Sequence, residues 1–200
     1  MTVRAVFLVG FMAAGKTSVG QELARRLNWD FVDLDLLIES REQQTIPEIF
    51  QTRGESSFRL AETTALRDLT GSIKRDTVVA LGGGTFAHPA NFELLQPWPS
   101  VFLDAPVEEL WQRSMENPAQ RPLRNDHDEI IRLHQLRLPV YRKATVTVVT
   151  SGNTPASLCA EIERILQLVG TTPAGPQSAG TKSAGSSQVS HVRPRTGEPQ

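Results

Sequence analysis

The chain has 200 residues, a formal net charge of -1 and a sequence isoelectric point near 6.4, which argues against electrostatic binding to nucleic acid or a membrane surface. Its composition, 39% hydrophobic and 22% charged, is typical of a soluble globular protein. The only cysteine, Cys159, excludes an intrachain disulfide and a cysteine-based zinc site. Without a signal-peptide region or an apolar run near the roughly 20 residues of a membrane span, we expect a cytoplasmic, soluble protein. We also expect a monomer.

Strand-like and helix-like runs alternate, which predicts a parallel α/β sheet. Five strands are predicted at about residues 3–9, 31–33, 77–81, 100–103 and 146–149. The first strand is followed by GFMAAGKT at residues 10–17, a full match to the P-loop pattern. A helix over residues 18–27 comes next, with Val19, Leu23 and Leu27 on its apolar face. This context favours a nucleoside triphosphate site over a glycine-rich turn with an incidental Lys-Thr.

The residue types of the P-loop suit phosphate binding. Gly10 and Gly15 let the backbone curl, so that consecutive N–H groups converge on phosphate oxygens at the positive end of the helix. Lys16 can reach the β- and γ-phosphates, and the hydroxyl of Thr17 can bind Mg²⁺.

Two carboxylates end the second predicted strand, which reads FVDLD. Asp33 and Asp35 are predicted to share one face at the carboxyl edge of the sheet, beside the phosphate site. One can hold Mg²⁺ while the other accepts a proton or hydrogen bond from an attacking hydroxyl. For Asp35, a helix N-cap is the structural alternative.

Helix signals and a glycine run follow. Thr45 and Glu48 form a capping box, with Gly54 as the predicted stop, and the next helix covers residues 56–69 and ends at Gly71. Three glycines at residues 82–84 follow the third strand. They indicate close approach of the backbone to a ligand, with a flexible turn as the alternative.

Arginines and one further aspartate complete the candidate site. Arg59, Arg121 and Arg137 would each, taken alone, be a solvated charge. Arg121 differs because its polar stretch, residues 117–126, contains two prolines and suits a lid that closes over phosphates. Asp104 ends a VFLD run that fits either a Walker-B strand or the N-terminus of a helix, and no NKxD motif for guanine occurs.

The C-terminal part contains two more helices and a tail. One helix opens at residues 126–129 and must end before Pro139. The last begins at Thr154, and its apolar stripe is Leu158, Ile162, Ile165 and Val169. From residue 171 the composition becomes small, polar and rich in Pro, Gly and Ser, which predicts a domain over residues 1–170 and a disordered tail over residues 171–200.

Six motifs, in this order and at this spacing, resemble the shikimate kinase family: GFMAAGKT, FVDLD, GESSFR, LGGGT, QRPL and RLPVY. The resemblance covers about residues 3–169. It implies an α/β P-loop kinase fold, a five-stranded parallel sheet flanked by helices, with a lid and a helical substrate-binding subdomain. It also implies ATP-dependent phosphorylation of the 3-hydroxyl of shikimate in aromatic amino acid biosynthesis, with Mg²⁺ as cofactor and ATP as co-substrate.

The resemblance also implies residue roles. The catalytic residues would be Lys16, Asp35 and Arg121, the last being the lid arginine that reaches the transferring phosphate. Asp33 would be the magnesium-associated carboxylate, together with Thr17. Shikimate would contact Asp35, Arg59, Gly82, Gly83, Gly84 and Arg137. ATP would contact Gly10, Met12, Ala13, Ala14, Gly15, Lys16, Thr17, Ser18, Arg113 and Arg121, with Arg113 near the family's adenine-stacking arginine.

The acceptor chemistry agrees with these roles, because shikimate is a small carboxylated triol and a guanidinium pairs well with a carboxylate. Two departures from the family pattern stand out. Ala13-Ala14 replaces a pair that usually contains glycine, which puts the backbone of Ala14 in question. The lid reads RPLR instead of RPLL, so Arg124 replaces an apolar residue.

Three alternatives remain from the sequence. Another small-metabolite P-loop kinase, such as a gluconate kinase, would share the P-loop but does not predict DxD, GGG and RxPVY together. A nucleotide-dependent switch would bind ATP without acceptor-dependent turnover. A phosphate-binding structural protein would have the loop by chance.

Overall fold

The structure, a computed structural model, describes residues 5–116 and 127–168. Its strands are β1 (Ala5–Val9), β2 (Asp30–Asp33), β3 (Thr77–Ala80), β4 (Ser100–Asp104) and β5 (Val146–Val149). Its helices are α1 (Lys16–Leu27), α2 (Leu34–Glu42), α3 (Ile46–Ser72), α4 (Pro89–Leu95), α5 (Val107–Glu116), α6 (His127–Tyr141) and α7 (Pro155–Leu166). The five predicted strands are confirmed, each within two residues at either end.

The strands form one parallel sheet in the order β2-β3-β1-β4-β5. All five residues of β1 are buried, because this central strand is covered on both faces by helices. β5 lies at the edge and alternates buried with exposed residues. The carboxyl ends of β1, β3 and β2 therefore lie side by side, and the segments that follow these strands meet at one edge.

Helix α1 packs its apolar stripe onto the sheet. Val19, Leu23 and Leu27 are buried, as the sequence predicts. Gly20 is also buried, and a Cβ at this position would lie 2.5 Å from the ring of Phe31. This glycine therefore allows close contact between α1 and β2.

Two helix boundaries concern a glycine and a proline. The prediction of a break at Gly54 is confirmed, because α3 has a kink there with φ 77° and ψ 172°, in a region that favours glycine. The predicted end of α6 before Pro139 is wrong, since the helix continues to Tyr141. Pro139 lies in the last turn and is exposed, so it removes only one intrahelical hydrogen bond, and the N–H of Arg142 still donates to Leu138 at 3.0 Å.

The capping box at Thr154 is confirmed, and α7 buries Leu158 and Ile162 as predicted. Ile165 is wrong as a stripe residue, because 37% of it is exposed; Val169 lies outside the described residues. The predicted lid (residues 117–126) and tail (residues 171–200) also lie outside them. Among the helices that the structure describes, none is both long and apolar enough to cross a membrane.

Candidate active site

The P-loop connects β1 to α1 and depends on its glycines. Gly10 has φ 149°, and a Cβ there would lie 2.9 Å from the carbonyl oxygen of Leu103. Gly15, at the N-cap of α1, has φ 89° and gives the helix no side-chain cap. The first N–H groups of α1 are thus available to an anion, and the helix dipole favours negative charge at this end.

The unusual alanine pair of the loop places its strain at Ala13. Ala13 has φ 58°, in the left-handed region. Ala14 does not have a positive φ and is buried. The expectation that Ala14 has the unusual backbone conformation is therefore wrong, because Ala13 has it. Ala14 instead fills space beside Gly10, where a Cβ on that glycine would lie 3.3 Å from the Ala14 methyl group.

Lys16 lies in the first turn of α1, and its ammonium group folds back over the loop. It donates to the carbonyl oxygens of Gly10 at 3.0 Å and Phe11 at 2.8 Å. Burial lowers the pKa of Lys16 to about 8, although the nearby Asp35 and Asp33 raise it. The ammonium is therefore held at the mouth of the loop with only part of its hydration, where phosphate oxygens would be strong alternative acceptors.

Thr17 and Asp33 form the pair that the sequence assigns to Mg²⁺. The hydroxyl of Thr17 donates to Asp33 Oδ2 at 2.8 Å. Asp33 is also the N-cap of α2, since its Oδ1 accepts the N–H of Asp35 at 3.1 Å. The N-cap role considered for Asp35 therefore belongs to Asp33.

Asp35 lies in the first turn of α2, so it does not share a strand face with Asp33 as the spacing predicts. The turn of the helix nevertheless brings both carboxylates to the same cavity. Burial raises the pKa of Asp35 to about 6, against the attraction of Lys16, and repulsion from Asp33 and Glu62 adds to the rise. Asp35 is the most strongly perturbed carboxylate among the groups described, which is typical of a functional position.

The glycine run after β3 is a point of close approach, so the flexible-turn alternative does not describe it. A Cβ on Gly82 would lie 2.5 Å from Asp35 Oδ1, and a Cβ on Gly83 would lie 3.4 Å from the backbone nitrogen of Met12. A Cβ on Gly84 would lie 2.9 Å from both terminal nitrogens of Arg59 and 3.3 Å from a terminal nitrogen of Arg137. Each glycine thus faces a different part of the site.

Arg59 and Arg137 come from separate elements, α3 and α6, and meet at Gly84. Arg59 donates to Glu62 at 3.1 Å and to Glu55 at 3.2 Å. Its guanidinium lies 5.1 Å from the centre of the Phe58 ring, and that of Arg137 lies 6.0 Å from the centre of the Phe11 ring. Two cationic groups are therefore held side by side against aromatic surfaces.

Glu62 joins three side chains beside the glycine run and was not predicted from the sequence. It is 1% exposed and accepts hydrogen bonds from Arg59, from the Thr85 hydroxyl at 2.7 Å and from the Asn91 amide at 3.1 Å. The signal for this residue was its position three residues after Arg59 on a helix, where side chains are neighbours. Thr85 and Asn91 gave no comparable signal, because only the fold brings them to Glu62.

One cavity of about 480 Å³ joins these groups. Its lining consists of Met12, Ala13, Gly15, Lys16, Thr17, Ser18, Asp33, Asp35, Leu81, Gly83 and Arg113. Every one of these except Leu81 was predicted as a site residue. Of the other predicted residues, Gly10 accepts a hydrogen bond from Lys16, Gly82 and Gly84 adjoin Gly83, and Arg59 and Arg137 approach Gly84. Arg121 lies outside the described residues.

Two remaining candidates differ in position. Arg113, on α5, lines the cavity, where it donates to the Thr150 hydroxyl at 3.2 Å and to Glu109. Asp104 does not line the cavity, and its carbonyl accepts the N–H of Thr150 at 2.8 Å. Of its two sequence interpretations, a Walker-B role has no support from this geometry. Within the described residues, no group of three or more His, Cys, Asp or Glu side chains could hold a metal ion.

A P-loop at the carboxyl end of a parallel sheet, a half-buried lysine and an adjacent carboxylate–arginine cluster define a P-loop phosphotransferase with a small acidic acceptor. The sequence model of the family described as shikimate kinase matches residues 12–167. A shikimate kinase of Thermus thermophilus is 44% identical over 161 residues, which cover 78% of this chain and 86% of the relative. The chain belongs to the shikimate kinase family.

Solved structures agree with this assignment. Shikimate kinase from Acinetobacter baumannii in complex with shikimate has a TM-score of 0.76 and 38% identity, over 83% of this chain and 94% of that one. Shikimate kinase from Aquifex aeolicus has a TM-score of 0.70 and 36% identity, over 82% and 96%. The chain is therefore a kinase of the P-loop fold, as the motifs predict.

Proposed function

We propose that this chain transfers the γ-phosphoryl group of ATP to the 3-hydroxyl of shikimate, giving shikimate 3-phosphate and ADP. The observation that carries the proposal is the position of Asp35. Its carboxylate lines the P-loop cavity and also lies against Gly82, close to the glycine that Arg59 and Arg137 approach. One carboxylate thus separates a triphosphate site from a site for a small anion.

On the donor side, the P-loop N–H groups and Lys16 would hold the phosphates. Arg113 also lines the cavity, where its planar guanidinium could stack on the adenine ring. Arg121 is the proposed lid arginine that neutralises charge on the transferring phosphoryl group. When ATP binds, phosphate oxygens would replace the two carbonyl oxygens as hydrogen-bond acceptors for Lys16. The buried ammonium group would thereby regain charged partners in place of the water that burial removes.

On the acceptor side, Arg59 and Arg137 would bind the shikimate carboxylate, and the glycine run would lie against its ring. Asp35 would orient the 3-hydroxyl and accept its proton. The hydroxyl oxygen then forms a bond to the γ-phosphorus while the bond from that phosphorus to the ADP oxygen breaks. With a pKa of about 6, Asp35 is ionised at neutral pH and can act as this acceptor.

Thr17 and Asp33 fit the Mg²⁺ ion that this chemistry uses. Both offer hard oxygen donors, already joined by the 2.8 Å hydrogen bond. Mg²⁺ in phosphoryl-transfer sites takes one or two protein oxygens and completes its shell with phosphate and water, so no larger acidic cluster is needed. When bound, the ion would neutralise charge on the β- and γ-phosphates.

We further propose that the protein acts as a cytoplasmic monomer without a nucleic-acid or membrane partner. The support is the near-neutral charge and a site that one chain supplies from its own elements.

The test is ADP release in a coupled assay with shikimate, with gluconate and with no acceptor. We expect acceptor-dependent ADP release with shikimate alone. Release only with gluconate would replace the proposal with a sugar-acid kinase. ATP binding without any acceptor-dependent release would instead support a nucleotide-dependent switch.

A further inference from the structure

Tyr141 is a buried polar side chain that none of the roles above uses. It is the only tyrosine of the chain, is fully buried and ends α6. Its ring packs on Phe102 of β4 with 5.3 Å between ring centres, and its hydroxyl donates to the carbonyl oxygen of Gly83. A residue at the end of a helix thereby holds the middle of the glycine run.

The hydrogen bonds of the glycine run show what this contact supplies. The carbonyl of Gly82 accepts the N–H of Thr85 at 3.2 Å, and that of Gly84 accepts the N–H of Ala87 at 3.1 Å. The carbonyl of Gly83, which lies between them, accepts the Tyr141 hydroxyl instead. Since glycine is the least restrained residue, this one side-chain bond fixes a peptide that its own backbone would leave free.

The position of Gly83 gives that restraint a consequence for the site. Gly83 lines the nucleotide cavity, and its Cα faces the backbone nitrogen of Met12 in the P-loop. The next residue, Gly84, faces the terminal nitrogens of Arg59 and Arg137. A rotation of the Gly83 peptide would therefore move Gly84, which contacts Arg59 and Arg137, relative to the P-loop.

Tyr141 is also linked to the acceptor side through its own helix. Arg137 lies four residues earlier on α6, so the two side chains are neighbours on one face. Burial raises the pKa of Tyr141 to about 12, and the charge and hydrogen bonding of Arg137 act in the opposite direction. The phenol consequently stays protonated, and remains a donor, throughout the range in which a kinase works.

From these contacts we infer that Tyr141 is a positioning residue for phosphoryl transfer, which sets the distance between the donor loop and the acceptor site through the carbonyl of Gly83. The inference rests on the proposed function, because it assigns Gly84 and its two arginines to the acceptor. Glu62 restrains the same loop elsewhere, at Thr85, so the two anchors hold different peptides. The loss of the Tyr141 anchor should therefore harm alignment and leave ATP binding intact.

The first test compares the wild-type protein with Tyr141→Phe, which keeps the ring and removes only the donor. We expect kcat with shikimate to fall about 10- to 100-fold, the scale of a misplacement near 1 Å, while the Kd for ATP changes less than about twofold. The matched control is Thr70→Val, which removes a hydroxyl that also donates to a backbone carbonyl, that of Leu66 at 3.0 Å, away from the site. An unchanged kcat in Tyr141→Phe, or an equal fall in the control, would overturn the inference.

The second test uses the uniqueness of the tyrosine and does not need turnover. Full-length protein grown with 3-fluorotyrosine carries one fluorine label, so its ¹⁹F spectrum reports Tyr141 alone. We expect the resonance to shift on addition of ATP, because Gly83 lines the cavity, and to shift again with shikimate. No shift with either ligand would overturn the inference. A shift with ATP in a wild-type protein that does not turn over shikimate would refute the proposed function and the assignment of Gly84 and its arginines to the acceptor, but not the restraint of the Gly83 peptide by Tyr141.

Discussion

At the scale of single residues, the proposed catalytic residue Asp35 occupies a position that lowers the stability of the fold. Its carboxylate is removed from water at the first turn of α2, with Asp33 and Glu62 nearby, and Lys16 offsets only part of the cost. A raised pKa in the folded state means that the folded protein binds the proton more tightly than the unfolded chain does. The ionised carboxylate therefore destabilises the fold above about pH 6, and this cost disappears as the pH falls below the ordinary range for aspartate.

The first prediction follows from that sign. Asp35→Asn should abolish most shikimate-dependent turnover, since the amide cannot accept a proton, and it should raise the free energy of unfolding at pH 8 by about 3 kcal/mol. The gain should shrink as the pH falls from about 6 towards about 4. Thermal unfolding of both proteins across this range measures it. The control is Asp30→Asn at the exposed start of β2; a gain in Asp35→Asn that does not depend on pH would contradict the argument.

The sequence predicts a site residue correctly where a short local motif identifies it. Lys16, Thr17 and Asp33 follow from the P-loop pattern and the end of a strand, and the structure places all three around one cavity. The contact of Glu62 with Thr85 and that of Tyr141 with Gly83 could not be found in this way, because the partners lie 23 and 58 residues apart in sequence. Their function exists only once the sheet has brought the glycine run beneath the two helices.

At the scale of elements, the glycine run is where three helices and the P-loop converge. Gly82 meets α2 through Asp35, and Gly84 meets α3 and α6 through their arginines. A side chain at either point would collide with these groups, so only a glycine run fits between the P-loop cavity and the two arginines.

The second prediction tests this close fit. Gly82→Ala would place a methyl group 2.5 Å from Asp35 Oδ1 and 2.9 Å from Thr85 Oγ1, so one of the two must move. We expect a fall in kcat/KM for shikimate of about 100-fold. Gly71→Ala is the matched control, because a Cβ at this exposed position of α3 meets nothing within 4 Å. Steady-state kinetics of both variants measure this effect. The same kcat/KM for shikimate in Gly82→Ala and Gly71→Ala would contradict the prediction and show that Asp35 tolerates displacement.

The third prediction concerns the two arginines. Arg59→Ala and Arg137→Ala should each lower kcat/KM for shikimate by roughly 30-fold or more, which corresponds to about 2 kcal/mol for a lost charged hydrogen-bonding partner. The Kd for ATP should change little. Isothermal titration and steady-state kinetics give the two quantities separately.

The controls for the arginines separate binding from folding. Arg41→Ala removes an exposed arginine that pairs with Asp68 at 2.8 Å and should have no kinetic effect. Arg59→Ala also leaves the buried Glu62 without its cation, so Arg59→Lys, which keeps the charge but loses the fork, tests the role with less risk to the fold. Shikimate kinetics that survive in both Arg137→Ala and Arg59→Lys would remove the pair from the acceptor site.

Some helix boundaries can be predicted from the local sequence and others cannot. The capping boxes at Thr45 and Thr154 are confirmed because a cap is decided by neighbours within one turn. Pro139 misled the prediction for α6, since a proline in a final turn costs one hydrogen bond while the burial of Tyr141 beside it supports that turn. Burial of this kind is tertiary and cannot be derived from a local rule.

At the scale of the whole molecule, the alternation of strands and helices was sufficient for the fold. A central apolar strand followed by a P-loop requires a parallel sheet with helices on both faces, and the observed order β2-β3-β1-β4-β5 meets that requirement. The order itself carries the function, because β1, β3 and β2 bring the P-loop, the glycine run and the paired carboxylates to one edge. The family assignment confirms the kinase that the six motifs predict.

The extent of the catalytic unit is the last prediction. The family match ends at residue 167, and α7 is joined to α1 by the two-point contact of Arg26 with Glu163, at 2.6 and 2.9 Å. Every described site residue therefore precedes the end of α7. A chain that ends at residue 170 should retain shikimate-dependent kcat and KM within about twofold and unfold at the same temperature as the full chain, because residues 171–200 have a composition that buries little apolar surface.

A second, shorter truncation is the control for this test. Truncation at residue 157, within the first turn of α7, removes the buried Leu158, Cys159 and Ile162 and should cause unfolding or loss of activity. Circular dichroism melting and the coupled assay, applied to both truncations, separate a dispensable extension from a required helix. A large fall in kcat for the chain that ends at residue 170, with an unchanged melting temperature, would mean that residues beyond the family match take part in catalysis.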